Sequence, residues 1–316
     1  MSIRLILISF VMMFFAAQLA NAQSCNFTIT DINFGSVNLG LGGAPSTSGT
    51  FTANCTGTPN STITICPNIN DGTGGSTSGN PRLLANGPRS VTYNLYQPSG
   101  QIWGSYVWPY APRPPTLSLT LNGAGTGSMT QTINAQLTGI LALAPSGAYQ
   151  SFYAGSNTLL DYGYAPTQTC TTVSTRAARA PFTVLTHNNS SCNISTTPMS
   201  FGTRADLNSA QTSSNQISVT CTNGVKYSLG LNNGSNGGTS PTNRFMANAA
   251  SGQKISYRIF QNSSMTQQWG TTAGADIISG TATGLTQVYN AYGQIPVQST
   301  PVGGSYTDIV VITLTY

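Results

Sequence analysis

The chain has 316 residues, of which only 5% are charged, and its net charge is +5. It contains no Glu; its acids are Asp31, Asp71, Asp161, Asp206, Asp276 and Asp308, and its one histidine is His187. So thin a positive balance lacks the clustered Lys/Arg of a nucleic-acid footprint, and scattered Asp residues argue against the carboxylate pair of a glycoside hydrolase.

The first twenty-two residues read as an address. Arg4 supplies a positive start, Leu5 to Ala17 an apolar core, and Ala20-Asn21-Ala22 a small-x-small cleavage site. Residues 1–22 are expected to be a signal peptide, with the mature chain starting at Gln23. The apolar core is shorter than the roughly 18–20 residues of a membrane span, so no span is expected in the mature chain.

Short β-rich runs follow, separated by Gly, Asn, Ser and Pro. Thr62-Ile63-Thr64-Ile65, Val91 to Tyr96, Leu117 to Leu121, Ile217 to Thr220 and Tyr227 to Leu231 alternate with period two. No long stretch keeps a helical period. This predicts an all-β protein of antiparallel sandwiches.

The pattern is written twice. Cys25-Asn26-Phe27 leads to Phe34-Gly35 and Cys55; Cys192-Asn193-Ile194 leads to Phe201-Gly202 and Cys221. Tyr93 to Gln97 is echoed by Tyr257 to Gln261, each followed by Trp-Gly at Trp103 and Trp269. A period of about 165 residues is too long for a solenoid and means two tandem domains. The expected division is an N-terminal domain over 23–183, a linker over 184–191 and a C-terminal domain over 192–316. The extra length of the first domain is assigned to loops at 80–88, 106–115 and 139–164.

Export makes disulfides permissible. Six cysteines allow fifteen pairings, but the repeat makes Cys25–Cys55 and Cys192–Cys221 equivalent, which leaves Cys66–Cys170. No closely spaced Cys/His set suits a metal, no phosphate-binding GxxxxGK[ST] occurs, and His187 falls in the expected linker. Neither an enzyme nor a cofactor is expected.

The chain closes on Ile309 to Tyr316, a β run with Val310, Ile312, Leu314 and Tyr316 on one face. Two readings stand: an ordinary last strand, or the edge of a sandwich lacking one strand and completed by another chain.

The ordered set of Cys, Phe-Gly, second Cys, Tyr-x-(Ile/Leu)-aromatic-Gln, Trp-Gly and the terminal Gly304-Ser305-Tyr306-Thr307-Asp308 resembles the spore coat protein U domain, the subunit family of archaic chaperone–usher pili. The resemblance implies immunoglobulin-like sandwiches, the C-terminal one incomplete and filled by a donor strand. It also implies a periplasmic chaperone, an outer-membrane usher and an adjacent pilin subunit as partners. A two-domain member looks like the tip adhesin of a Csu-type pilus, exported through the periplasm to the cell surface. After cleavage only Gln23 and Ser24 precede Cys25, too few for a donated strand at about 3.3 Å per residue. The chain is thus expected to accept a strand and pass none on, as a tip subunit does.

Surface binding is expected from apolar loops of the first domain. Candidates are Leu141, Ala142, Leu143 and Ala144, the Pro-bounded Trp108 and Tyr110, and Leu83 and Leu84. Exposed together they would attach cells to abiotic or host surfaces and promote biofilm formation. Each has a competing reading: a buried strand for 140–143, core or sugar binding for Trp108 and Tyr110, and a strand end for Leu83 and Leu84, whose counterparts follow Arg244. A lectin-like tip and a structural coat or capping subunit are the alternative functions.

Overall fold

The computed structural model describes residues 23–77, 81–105, 114–139, 141–164, 169–170 and 176–316, and they form two β-sandwiches. The first contains β1 (Ser24–Ile29), β2 (Ile32–Val37), β3 (Ser46–Thr56), β4 (Thr62–Pro67), β5 (Arg82–Asn86), β6 (Arg89–Tyr96), β7 (Leu117–Thr120), β8 (Thr126–Thr138), β9 (Gly147–Tyr153), β10 (Leu159–Gly163), β11 (Arg176–Arg179) and β12 (Phe182–Asn188). Eight of these make one sheet in the order β1-β3-β8-β6-β5-β9-β12-β2, and β11-β10-β4-β7 make the other.

The second sandwich contains β13 (Cys192–Thr196), β14 (Gln211–Cys221), β15 (Lys226–Leu231), β16 (Arg244–Ala247), β17 (Lys254–Phe260), β18 (Ile278–Thr281), β19 (Gln287–Ile295) and β20 (Ile312–Thr315). Its sheets run β13-β14-β19-β17-β16 and β18-β15-β20. The orders correspond strand for strand, except that among the described residues the second domain has no strand in the place of β2, β9, β11 or β12.

Alternation explains the sheets. Phe51, Ala53 and Cys55 of β3, Ile133, Ala135 and Leu137 of β8, and Ile217, Val219 and Cys221 of β14 all point inward, while polar residues between them face water. The chain thus builds two separate cores, one around Phe51 and Trp103, the other around Val219 and Trp269. Both tryptophans are fully buried, and each indole donates to a backbone carbonyl, Pro67 at 2.8 Å and Leu229 at 3.0 Å. Cys25–Cys55 and Cys192–Cys221 each bridge directly opposed residues, and Cys66–Cys170 ties β4 to the segment ahead of β11.

Two expectations about organisation are corrected. Residues 184–188, expected in a linker, belong to β12, where Val184 and Asn188 are fully buried between β9 and β2. Their period-two pattern of apolar and small residues marks a strand; the polar composition of the stretch hid it. His187 is an exposed residue of that strand. Residues 139–164, expected as a loop, hold β9 and β10, and 82–89 is the β5–β6 hairpin.

Candidate strand-accepting groove

The second domain is open along one side. Two adjoining hollows of about 530 and 930 Å³ lie between residues 196–207 on one wall and 300–312 on the other. Ile217, Leu231, Met246, Tyr257, Ile259 and Ala291 line the floor. Val310, Ile312 and Leu314 point inward and pack against the core while remaining only half-buried. On the outside, Ile309 and Val311 are 70% and 53% exposed. Among the described residues, the outer edge of β20 pairs with no strand.

The first domain shows the same place filled. There β5 bridges β9 through Ala85 and Gln150, and in the second domain β16 bridges Thr307 through Ala247. This sets Gly147-Ala148-Tyr149-Gln150-Ser151 on Gly304-Ser305-Tyr306-Thr307-Asp308. Tyr149 and Tyr306 confirm the match, since each hydroxyl donates to the carbonyl four residues earlier, Pro145 at 2.8 Å and Val302 at 2.7 Å. The closing motif therefore occurs in both copies, with Ser151 in place of Asp308, a substitution that obscured it in the sequence. On the other wall, Ile32 corresponds to Met199 and Phe34 to Phe201, by their distance from the first cysteine. Between these two walls the first domain carries β12. Phe182, Val184, Thr186 and Asn188 there are buried inward, and Ile32, Leu84, Tyr149 and Tyr153 beside them are fully buried. Their counterparts Met199, Met246, Tyr306 and Val310 are all partly exposed.

A carboxylate fixes the open wall. Asp308 accepts hydrogen bonds from the Ser235 amide at 2.8 Å, the Ser235 hydroxyl at 3.1 Å, Asn236 Nδ2 at 3.0 Å and the Tyr257 hydroxyl at 2.6 Å. The chain approaches it closely at Gly234, whose φ of +82° and whose contact with Asp308 leave no room for a Cβ. Burial, helped by the hydrogen bond to Asp308, pushes the Tyr257 phenol far above the ordinary range. The wall is thus held in place by the chain itself, with its apolar face open.

The candidate surface loops lie elsewhere. Leu84 is fully buried in β5, and Leu83 beside it is partly exposed in the same strand. Leu141 and Ala144 belong to the first core. Ala142 and Leu143 sit at the junction between domains, where Asn223 Nδ2 donates to the Leu143 carbonyl at 2.7 Å. There, Gly284 (φ +83°) lets the chain pass against the Ala142 carbonyl. Leu143 alone is well exposed, at 46%. In the run 141–144, Leu141 and Ala144 thus close the first core while Ala142 and Leu143 abut the next domain. Trp108 and Tyr110 lie outside the described residues. Tyr316 is 59% exposed and does not join the inward face of Val310, Ile312 and Leu314.

The model of the Spore Coat Protein U domain family matches residues 12–153 and again 178–313. The chain belongs to the Spore Coat Protein U domain family. The two matches take in both sandwiches, and the second begins ahead of Cys192, so that it includes β12. A coat domain is a structural module, and this family member is a structural protein rather than an enzyme. No curated protein matches the chain in sequence. Its fold is similar to that of the CsuC–CsuE chaperone–tip adhesion subunit pre-assembly complex from archaic chaperone-usher Csu pili of Acinetobacter baumannii. That likeness has a TM-score of 0.54 at 15% identity and covers 93% of this chain and 100% of the other. A looser likeness, with a TM-score of 0.39 at 12% identity over 92% and 94% of the two chains, is to the CupB6 tip adhesin from Pseudomonas aeruginosa.

Proposed function

We propose that the chain is the tip adhesin of a chaperone–usher pilus. Its second domain anchors it by accepting a strand from another chain, and its first domain attaches cells to surfaces and so promotes biofilm formation. The open groove carries this reading. Its floor is apolar, its walls are set, and the equivalent groove of the first domain is filled. Fully burying a Val, Ile or Leu side chain contributes roughly 1.5–3 kcal/mol, so covering Val310, Ile312 and Leu314 from their half-buried state is worth a few kcal/mol. Backbone pairing along the groove-facing edge of residues 304–310 adds specificity. A periplasmic chaperone covers the groove first, an outer-membrane usher exports the chain, and an adjacent pilin subunit then takes the chaperone's place. The fold likeness to the tip subunit of Csu pili supports the tip position.

Immunogold labelling tests the tip position: gold at pilus ends alone is expected, and gold along the shaft overturns it. Hydrophobic attachment to plastic should resist salt and fail in mild detergent. A glycan-binding tip is favoured by one observation. Turns 57–61 and 122–125, which hydrogen-bond to each other at the end of the first domain away from the junction, expose Thr58, Asn60 and Asn122. Competition by a free sugar would select that reading.

A further inference from the structure

We propose that β12 is a donor strand carried within the chain, and that its register is the template for the strand that fills the second domain. The inference rests on the strand-accepting reading above and specifies the occupant.

Three observations carry it. First, β12 lies directly ahead of the second domain's first strand, and the family match that covers the second domain begins at residue 178 and includes it. By family extent, β12 is the leading extension of the second unit, yet it is buried in the first. Second, its route is complete: β11 pairs antiparallel with β10, the chain crosses at Ala180 and Pro181, and β12 runs antiparallel to β9 and parallel to β2. Third, every wall of that seat has a counterpart in the second domain, and there the hollows occupy the seat.

The register transfers residue by residue. In the first domain Phe182 faces Tyr153, Val184 faces Ser151, Thr186 faces Tyr149 and Asn188 faces Gly147. The corresponding positions of the second domain are Val310, Asp308, Tyr306 and Gly304. The occupant is therefore an extended segment antiparallel to 304–310. Its side chains alternate inward, first a large apolar one opposite Val310, then a β-branched one, then small polar ones toward Gly304. The first anchor is the most demanding: Phe182 stacks on Tyr153 with ring centroids 4.4 Å apart. The outward positions Thr183, Leu185 and His187 face Phe152, Gln150 and Ala148, which correspond to Ile309, Thr307 and Ser305.

Because the two seats match, a peptide with the sequence of residues 178–189 should enter the second domain's groove in trans. The test uses the whole chain carrying Thr307→Cys, with three peptides bearing Leu185→Cys, Thr183→Cys or His187→Cys, under mild oxidation. The Leu185→Cys peptide is expected to cross-link at least tenfold faster than the other two, and Phe182→Asp in that peptide to lower its occupancy at least tenfold. Equal cross-linking, or preference for another position, overturns the register while leaving the strand-accepting groove intact. Failure of every peptide, with a chaperone or pilin subunit still bound by the same protein, overturns the template alone. Failure of all of them to bind overturns the strand-accepting reading beneath it.

Discussion

Arg82 and Arg244 grip the same three carbonyls in the two domains. Each sends Nε to the carbonyl twelve residues earlier, Asn70 at 2.7 Å and Asn232 at 2.9 Å. Each sends Nη2 to the next carbonyl back, Ile69 at 2.7 Å and Leu231 at 3.1 Å, and to a tryptophan carbonyl, Trp103 and Trp269, both at 2.6 Å. Both side chains are fully buried. Desolvation lowers both pKa values, but a guanidinium stays protonated in proteins. The fork closes the loop between β4 and β5 in the first sandwich, and between β15 and β16 in the second, onto the Trp-Gly turn, and so shapes one end of the groove floor.

Replacing Arg244 with Ala would strand the buried carbonyls of Leu231 and Trp269 and the part-buried one of Asn232. Unmet buried acceptors cost about 1–3 kcal/mol each, so the expected loss is at least about 3 kcal/mol, confined to the second domain. Lysine should not rescue it, because a point charge cannot reproduce the fork. Urea unfolding followed through Trp269 fluorescence measures the loss; full stability in Arg244→Lys would contradict the role.

The three disulfides should differ in worth. Cys66–Cys170 closes a loop of 104 residues and Cys25–Cys55 one of 30. On loop-closure entropy a loop near one hundred residues is worth about 4.7 kcal/mol, and shorter loops less. Paired Cys→Ala replacements, compared by denaturant midpoint, should show the greater loss for Cys66 and Cys170.

Asp308→Ala should loosen the groove wall and lower second-domain stability by about 2–3 kcal/mol, the scale of hydrogen bonds to a charged group. Gly234→Ala should act similarly by steric conflict at the same carboxylate. Thermal unfolding of both variants would show whether the first domain's transition stays unchanged, as expected.

Alkaline pH should unfold the second domain through its buried phenols. Burial raises the pKa of Tyr257 and of Tyr227, and hydrogen bonds to Asp308 and Tyr289 add to it. A raised folded pKa means that stability is fully present below the ordinary tyrosine value of about 10. It is then lost as pH climbs through the folded value. Ultraviolet titration should find tyrosinate appearing at these positions only together with unfolding; Tyr257→Phe should blunt the effect.

The two sandwiches and the sulfur pairing were legible because alternation and duplicated cysteines are local or countable signals. The run Val310, Ile312, Leu314 was legible for the same reason. The junction at 141–144 was not, since an apolar run reads alike whether it meets solvent, core or a neighbouring domain. Strand β12 was missed because Thr183, Thr186, His187 and Asn188 make it polar in composition, while its burial depends on β9 and β2, far away in sequence. Arg82 was visible as the counterpart of Arg244, but charge alone gave no reason to place either inside.

The most direct measurement is amide hydrogen exchange on the isolated chain and on its complex with the chaperone or a donor peptide. In the isolated chain β9, β12 and β20 should be protected, while residues 199–204 and the groove-facing amides of Tyr306, Asp308 and Val310 exchange quickly; binding should bring these amides to the protection of their first-domain counterparts. Strong protection of 199–204 and of Tyr306, Asp308 and Val310 without any partner, or no gain on binding, would contradict a second domain completed by another chain's strand.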